Sequence, residues 1–256
     1  MMNNANEISK RTKLYGFIGE NAGSSSFSAT LNKVFKAQGK DAMMIPMNIR
    51  EDDFFFTLSN MKRSHVNGAL ISNEYLKNSV EILDEASEAV IRSKICDIVI
   101  REDQKLMGDI LGMRVLNKFL AQNECKKVAL IGIDERAKAF CCFAKDLSIA
   151  LFYHNLEEAM KFCKEMSIEA DINRIAKNMS VDLKDYDAVI DFCDFESLDM
   201  VSGLGRINLD MKSKKEFSPL KARSDELGSR YIGFDDMLSE LSSGVFEYLK
   251  EKKHLD

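Results

Sequence analysis

Residues that shape turns and ligand sites are scarce in this sequence: its 256 residues include 2 prolines, 13 glycines and 3 histidines. The histidines have no metal-ligand spacing and the 6 cysteines form no CxxC pair, so neither a metal site nor a redox dithiol is predicted. No apolar run approaches the roughly 20 residues of a membrane helix. The N-terminal segment, residues 1–6, lacks the apolar core of a signal peptide. We therefore predict a cytoplasmic protein.

The charge balance has a modest negative excess. The sequence has 36 Lys and Arg against 41 Asp and Glu, which gives a formal net charge of −5. This balance does not favour nucleic acid or an anionic membrane as a general partner. Hydrophobic residues make up 45% of the chain, as in globular proteins, and the length suits two domains of ordinary size.

The first 106 residues alternate short β-rich runs with helical patterns. Their apolar spacing predicts strands near 13–18, 42–47, 69–72 and 95–100, and helices near 28–38, 51–62 and 78–91. Such alternation indicates a largely parallel sheet that is covered by helices.

A second strand–helix series follows a helix predicted over 109–122. Strands are predicted near 127–132, 149–153, 187–191 and 206–210, and helices over 135–145, 156–166 and 235–252. This βαβ succession is typical of a dinucleotide-binding half-fold. We predict an α/β protein of two domains: an N-terminal α/β domain over 1–106, to which the last helix returns within 234–256, and a C-terminal Rossmann-like domain over 107–233.

Short motifs occur in a fixed order along nearly the whole chain. They include Tyr15-Gly-Phe-Ile-Gly19, Ser26-Phe-Ser28, Leu70 to Leu76, Lys94 to Ile98, Asp103 to Gly108, Gly132 to Ala139, Tyr153-His-Asn155, Ser218-Pro-Leu220 and Met237-Leu238. In this order they resemble the motifs of the shikimate dehydrogenase family. The resemblance implies a substrate domain followed by an NADP-binding domain, and the NADP-linked reduction of 3-dehydroshikimate to shikimate in aromatic amino-acid biosynthesis.

The catalytic pair that the resemblance implies is displaced here. In the family, a Lys and an Asp orient the substrate hydroxyl and handle its proton. The Lys position holds Leu76, so the neighbouring Lys77 is the candidate, or else a solvated lysine at a helix start. The Asp falls on Asp109 or is lost at Gly112, depending on the end from which the segment is counted. Asp109 is the candidate, with a helix-capping role as the alternative.

Four residues stand where the family binds its substrate: Ser26, Ser28, Ser72 and Asp97. Ser26 and Ser28 match the Ser-x-Ser hydroxyls, Ser72 replaces a Thr, and Asp97 lies in the segment that matches Gly-Ala-Val-Asn-Thr. A serine-rich turn before a helix is also an ordinary N-cap arrangement, and that alternative stays open.

The candidate cofactor residues are Gly132, Asp134, Glu135, Arg136 and His154. In a Gly-x-Gly turn, the second glycine lets backbone N–H groups approach the pyrophosphate at a helix N-terminus. Asp134 replaces that glycine and Glu135 follows it, so two carboxylates stand where phosphate charge would lie. Arg136 offsets only part of this repulsion, and His154 is neither the Arg nor the acid expected near the ribose. We predict weak or absent NADP binding.

Two main functions remain open, because the hydrophobic framework of the family is kept while its chemical motifs are altered. The first is a shikimate dehydrogenase of weak or lost activity. The second is a non-catalytic paralogue that binds a small hydroxy-acid-like metabolite or a protein partner. A third possibility is altered chemistry that uses Asp134, Glu135 or Asp191.

Overall fold

The computed structural model describes residues 11–193 and 195–255, so the N-terminal residues used for the signal-peptide prediction lie outside them. The chain forms two compact units: unit 1 comprises Met1–Leu111 and Leu238–Asp256, and unit 2 comprises Gly112–Met237. The predicted α/β class is confirmed. The predicted domain limits at 106/107 and 233/234 lie slightly before the observed ones. Within the described ranges, no helix is long and apolar enough to span a membrane.

Unit 1 is built on a six-stranded mixed sheet in the order β2-β1-β3-β5-β6-β4. Its strands are β1 (Lys13–Gly19), β2 (Ala42–Asn48), β3 (Val66–Ile71), β4 (Glu85–Ala86), β5 (Ile98–Glu102) and β6 (Lys105–Asp109), and its first helices are α1 (Phe27–Ala37), α2 (Glu51–Asn60) and α3 (Glu88–Ser93). Strands β1, β2 and β3 are parallel, whereas β5 is antiparallel to both β3 and β6.

The single helix predicted over 78–91 is wrong. A 3-10 helix (Asn78–Ile82), β4 and α3 occupy these residues instead. Leu83 packs against Gly108 of β6, and the N–H of Asp84 donates to the carbonyl of Leu106. The apolar spacing therefore reflects a short strand between two short helices, which periodicity alone does not separate from one helix.

Strands β5 and β6 form a tight hairpin at the segment predicted to turn. Asp103 and Gln104 have φ values of +45° and +67°, as a two-residue hairpin loop requires. The helix predicted from residue 109 begins only at Gly112, because Asp109 is still part of β6 and pairs with Ile98. Residues 110–111 then connect the end of β6 to the helix that begins at Gly112.

Unit 2 contains a six-stranded parallel sheet in the order β14-β13-β11-β7-β8-β9. Its elements are α4 (Gly112–Gln122), β7 (Lys127–Ile131), α5 (Glu135–Cys141), β8 (Ser148–Tyr153), α6 (Leu156–Met166), β9 (Ala170–Arg174), β10 (Val181–Asp182), β11 (Ala188–Asp191), β12 (Val201–Gly203), β13 (Ile207–Leu209), α7 (Pro219–Leu227) and β14 (Tyr231–Ile232). Counted from β7, with the separate β10–β12 pair left out, this is the 3-2-1-4-5-6 order of a Rossmann fold, with its switch point between β7 and β11. The Rossmann-like prediction is confirmed, although β9, β10, β12, β14 and α7 were not predicted.

The last helix, α8 (Leu238–Glu251), belongs to unit 1. It packs on α1, and the rings of Phe35 and Phe246 lie 6.4 Å apart between the two helices. Val245 and Leu249, which lie four residues apart on α8, are also buried. The predicted return of the last helix to the first domain is confirmed.

Candidate functional site

At the start of α1, Ser25 Oγ accepts a hydrogen bond from the N–H of Phe27 at 3.2 Å. Ser26 precedes the helix, but its backbone is already helical (φ −76°, ψ −3°) and its side chain makes no capping hydrogen bond there. Ser28 is 4% exposed, and its Oγ has no hydrogen-bond partner in the described chain. The N-cap alternative therefore does not describe Ser26, and a buried hydroxyl at the first turn is left without a partner.

Ser72 directly follows β3, and its hydroxyl is held by a carboxylate of the same chain. Ser72 Oγ donates to Glu74 Oε2 at 2.5 Å, and Glu74 Oε1 accepts from the N–H of Glu20 at 2.8 Å. Gly19 allows this close approach, because an added Cβ would lie 2.8 Å from Ser72 Cβ and 2.9 Å from Glu74 Oε1. An acidic ligand at Ser72 would meet the charge of Glu74.

The hairpin brings Asp97 and Asp109 together. The N–H of Asp97 donates to the carbonyl of Asp109 at 3.3 Å. Asp97 Oδ1 accepts from the N–H of Leu111 at 2.6 Å, and Asp109 Oδ1 accepts from the N–H of Ile110 at 2.8 Å. Both carboxylates thus order the link between β6 and α4. Asp109 is buried and is not the N-cap residue of α4, which begins at Gly112.

Lys77 lies in a different environment from Asp109. Its side chain is exposed, and the residue precedes the 3-10 helix Asn78–Ile82. The catalytic assignment of Lys77 stays a prediction. Leu76, which stands at the lysine position of the family, is buried and has no titratable group.

The N-terminus of α5 is closed by Asp134. The N-cap residue Asp134 accepts a hydrogen bond at Oδ1 from the N–H of Ala137 at 2.9 Å. Its Oδ2 accepts from Nε of Arg136 at 2.6 Å. Asp is a favoured N-cap residue, and its charge complements the helix dipole. Glu135 lies in the first turn of the same helix, so a second acid is present.

Gly132 is needed for packing at the end of β7. Its φ is +97°, and an added Cβ would lie 2.8 Å from the N atom of Cys193 and from the carbonyl carbon and oxygen of Phe192. The glycine therefore permits the close approach of the segment after β11. This requirement explains Gly132 without a bound phosphate.

Asp191 ends β11 and is buried beside the end of β7. It pairs in register with Ile131 and is 2% exposed. Oδ1 accepts from the N–H and the Sγ of Cys193, at 2.9 and 2.8 Å, whereas Oδ2 has no partner among the described residues. Burial raises the pKa of Asp191. Asp191 was predicted only as a residue of altered chemistry, and the structure places it at the switch point of the sheet.

Asp210, which follows β13, is also buried but has a full set of partners. It accepts hydrogen bonds from the hydroxyls of Ser218 and Tyr231, at 2.5 and 2.6 Å, and from the N–H of Lys212. Ser218 in turn caps α7 by accepting from the N–H of Lys221. The Ser-Pro sequence at 218–219 is typical of a helix start and is a local signal that could have revealed the unpredicted α7.

The segment after β8 serves as a helix cap. His154 is exposed, and its ring lies 4.2 Å from the ring of Tyr153. Asn155 Oδ1 accepts from the N–H groups of Glu157 and Glu158 at the start of α6. In the part of the chain that the structure describes, no group of three or more His, Cys, Asp or Glu residues could hold a metal ion.

No protein-family model matches the sequence. Two curated relatives do, and both are NADP(+) shikimate dehydrogenases. The one from Pyrococcus furiosus is 24% identical over 161 residues, which cover 61% of this chain and 59% of the relative. The one from Dictyoglomus turgidum is 31% identical over 102 residues, which cover 40% of this chain and 37% of the relative. Each match thus spans less than two thirds of the relative's length.

Solved structures extend the likeness over nearly the whole chain. A shikimate dehydrogenase in complex with NADP+ has a TM-score of 0.73 at 18% identity, covering 96% of this chain and 92% of that one. The Thermus thermophilus enzyme in complex with NADP(H) and shikimate has a TM-score of 0.73 at 11% identity, covering 93% and 94%. The resemblance to the shikimate dehydrogenase family is confirmed.

The shikimate dehydrogenase fold is shared by an enzyme with another name and substrate. The 5-ketofructose reductase of a Gluconobacter strain has a TM-score of 0.70 at 15% identity and covers 94% of each chain. At such identities the likeness establishes the fold, and the ligand of this chain has to be argued from its own residues.

The N-terminus of α5 does not fit the pyrophosphate of the NADP bound by the shikimate dehydrogenases above. Asp134 already accepts hydrogen bonds from the N–H of Ala137 and from the guanidinium of Arg136. The helix has only seven residues, and Asp191 adds a buried carboxyl group at the neighbouring strand end. A pyrophosphate would have to displace one carboxylate while lying close to others.

Proposed function

We propose that this chain keeps the shikimate dehydrogenase fold but is a very weak or inactive NADP-linked reductase of 3-dehydroshikimate. The observation that carries the proposal is the capping of α5 by Asp134, whose second oxygen is paired with Arg136. The N–H of Ala137 and the guanidinium of Arg136, two donors that would favour a phosphate at this helix, are thus bonded to Asp134.

Charge supports the same conclusion. Asp134 and Glu135 begin α5, and like charges at short range raise the cost of bringing in two phosphate groups. Arg136 faces Asp134 at 2.6 Å, so the guanidinium neutralises that carboxylate before it neutralises a ligand. The missing glycine adds bulk at the place where the backbone would approach the cofactor.

A second candidate function is binding of a small hydroxy acid by unit 1 without turnover. It is favoured by the N-terminus of α1, an 11-residue helix that has no side-chain cap from Ser26 and has the unpartnered buried hydroxyl of Ser28 within its first turn. A helix N-terminus favours anions. A carboxylate there would supply the acceptor that Ser28 lacks. This candidate needs no NADP.

Titration with NADPH, followed by cofactor fluorescence and calorimetry, tests the first proposal. We expect no saturation below about 1 mM with the unaltered chain. The double variant Asp134→Gly, Glu135→Gly should bind at least about tenfold more tightly, because it removes two charges and restores the backbone approach. The matched control is Asp225→Gly, Glu226→Gly, which makes the same change in the exposed part of α7 and should leave affinity unchanged.

Micromolar binding of NADPH by the unaltered chain would overturn the proposal. If the double variant folds and does not respond, the larger defect lies in the Tyr153-His154-Asn155 segment. The second candidate is tested separately by calorimetry with shikimate alone. Binding that Ser28→Ala weakens supports it, and absence of any binding up to about 10 mM contradicts it.

A further inference from the structure

Helix α2 of unit 1 exposes two phenylalanines, of which Phe55 also lies edge-on to the ring of Phe54 at a centroid distance of 6.0 Å. Phe55 is 40% exposed and Phe56 is 73% exposed. The helix is anchored through its other face, where Phe54 and Leu58 are fully buried. Phe54 stacks on the ring of Tyr75 at a centroid distance of 4.4 Å. The buried side chains of Phe54 and Leu58 thus anchor the helix, while most of the Phe56 ring remains exposed.

The same helix carries three exposed acids in its first turn. Glu51, Asp52 and Asp53 are all exposed. Side chains four residues apart share a helix face, so Glu51 lies one turn from Phe55 and Asp52 one turn from Phe56. Stabilisation of the helix dipole accounts for acids at this end, but it does not account for the exposed rings beside them.

Further carboxylates extend the negative charge beyond the helix. The charges of Glu20, Glu74, Glu51 and Asp52 all raise the pKa of Tyr75, after the larger effect of its burial. The geometry agrees for Glu74, which accepts a hydrogen bond from the N–H of Glu20 at 2.8 Å. An open pocket of about 460 Å³ at this place is lined by Glu20, Asn21, Arg50, Glu51 and Asp52.

We propose that the acidic–aromatic face of α2, defined as Glu51, Asp52, Asp53, Phe55 and Phe56, docks a segment of a partner protein that carries Arg or Lys beside apolar side chains. Carboxylates pair with such cations, and a phenylalanine ring accepts a guanidinium over its face or an apolar side chain at its edge. Buried aromatic side chains and arginine are the residues that most often dominate binding energy at protein interfaces.

Charge complementarity selects this occupant over a second copy of the chain. Two copies meeting through this face would bring identical clusters of carboxylates together, which costs free energy at an interface. A cationic segment is instead attracted by the three acids of the face, an attraction that Arg50, which lines the same pocket, offsets in part. The inference concerns α2 alone and does not depend on whether unit 2 binds NADP.

Fluorescence anisotropy with three labelled twelve-residue peptides tests the docking face. The first alternates Arg and Leu, the second Arg and Ser, and the third Glu and Leu. We expect saturable binding of the Arg–Leu peptide in about 150 mM salt, binding at least tenfold weaker for the Arg–Ser peptide, and none for the Glu–Leu peptide. Two double variants of α2 test the face: Phe55→Ser with Phe56→Ser, and Glu51→Gln with Asp52→Asn. Each should lower the affinity for the Arg–Leu peptide at least about tenfold.

Phe217→Ser is the matched control, because Phe217 is 69% exposed and lies in unit 2. It should leave the affinity unchanged. Equal binding of the Arg–Ser and Arg–Leu peptides would reduce the effect to general electrostatics and overturn the proposal. So would unchanged affinity in both folded α2 variants, or no saturable binding. A dimer in light scattering that Phe56→Ser dissociates would assign the face to a second copy instead.

Discussion

The two units differ in the side chain that bonds the start of the helix after their first strand. In unit 1, α1 follows β1, the neutral hydroxyl of Ser25 accepts from the N–H of Phe27, and Ser28 keeps a buried hydroxyl without a partner in the described chain. In unit 2, α5 follows β7 and is capped by Asp134, which Arg136 also binds. A helix N-terminus attracts anions in both cases. The difference is that a carboxylate caps α5, whereas a neutral serine hydroxyl accepts at the start of α1.

The neighbouring strand end strengthens this contrast. Asp191 ends β11 beside β7, so unit 2 has a buried carboxyl group next to the capped helix. In unit 1 the acid that follows the neighbouring strand is Glu74, which accepts from Ser72 Oγ and from the N–H of Glu20.

The largest expected effect concerns turnover, because the proposed loss of NADP binding by unit 2 would remove one of the two reactants. We expect shikimate-dependent NADP reduction by this chain to be at least about 10⁴-fold slower than by the Pyrococcus furiosus relative assayed beside it. Loss of positioned acid–base groups costs about 10²–10⁴-fold, and misplacement of the reacting centres by about 1 Å costs about 10²-fold more. A coupled absorbance assay on both purified proteins measures this ratio.

The variants Lys77→Ala and Asp109→Ala distinguish residual catalysis from background. Both should leave the rate where it is, because Lys77 is exposed and Asp109 orders the link to α4. Robust turnover that either change abolishes would show that this pair handles the proton and that the contrast between the units has no catalytic consequence.

The next effect is on stability, at Asp191. Burial raises the pKa of its carboxyl in the folded state, with the hydrogen bonds from Cys193 and the charge of Lys212 opposing the shift and the charge of Asp210 adding to it. The stability that protonated Asp191 contributes is fully present below the unfolded pKa and is lost as pH rises through the folded pKa. Asp191→Asn should therefore stabilise the chain by about 1–3 kcal/mol at pH 8 and change little near pH 3.5.

Denaturant unfolding at the two pH values measures this difference. Asp187→Asn is the control of opposite sign, because the N–H groups of Lys126 and Lys127 donate to Asp187 and lower its pKa. That variant should be less stable than the parent above the unfolded pKa, and the loss should fade in acid. A stabilisation by Asp191→Asn that does not vary with pH would contradict the burial of an ionisable group.

Local signals predicted most of this architecture. The helix predicted over 156–166 matches α6 because Asn155 is a strong N-cap and the apolar spacing is clean. The replacement of the second glycine by Asp134 was likewise visible in the sequence, and the structure adds its two partners, Ala137 and Arg136. The cap of α7 by Ser218 is equally local, yet that helix was not predicted, so a local signal did not always lead to a prediction.

Long-range contacts set the limit of prediction. The short strand β4 exists because it pairs with β6, and no pattern within 78–91 contains that partner. The orphaned oxygen of Asp191 and the bond between Glu74 and Ser72 depend on which chain segments meet in space. The candidate residues of the site were therefore predictable as positions, whereas their partners were not.

A smaller effect is expected from removing the cap itself. Asp134→Ala should cost about 1 kcal/mol of stability, within the range of 0.5–2 kcal/mol known for N-caps, because the N–H of Ala137 loses its acceptor. Asp134→Asn keeps an acceptor oxygen and should lose less, although it gives up the ion pair with Arg136. Hydrogen exchange of the α5 amides measures both. Equal protection in the parent and in Asp134→Ala would mean that the cap stabilises nothing.

The smallest effect has the opposite sign and lies at Ser28. A buried hydroxyl without a partner carries an unrecovered desolvation cost, so Ser28→Ala should stabilise the chain, by up to about 1 kcal/mol. The matched control is Ser93→Ala in α3, where the buried Oγ donates to the carbonyl of Ala89 at 2.7 Å. That variant should be destabilised, because it removes a hydrogen bond that is made. If denaturant unfolding shows both serine variants to be destabilised alike, Ser28 has a partner in solution. The proposed anion position at the first turn of α1 would then already be occupied.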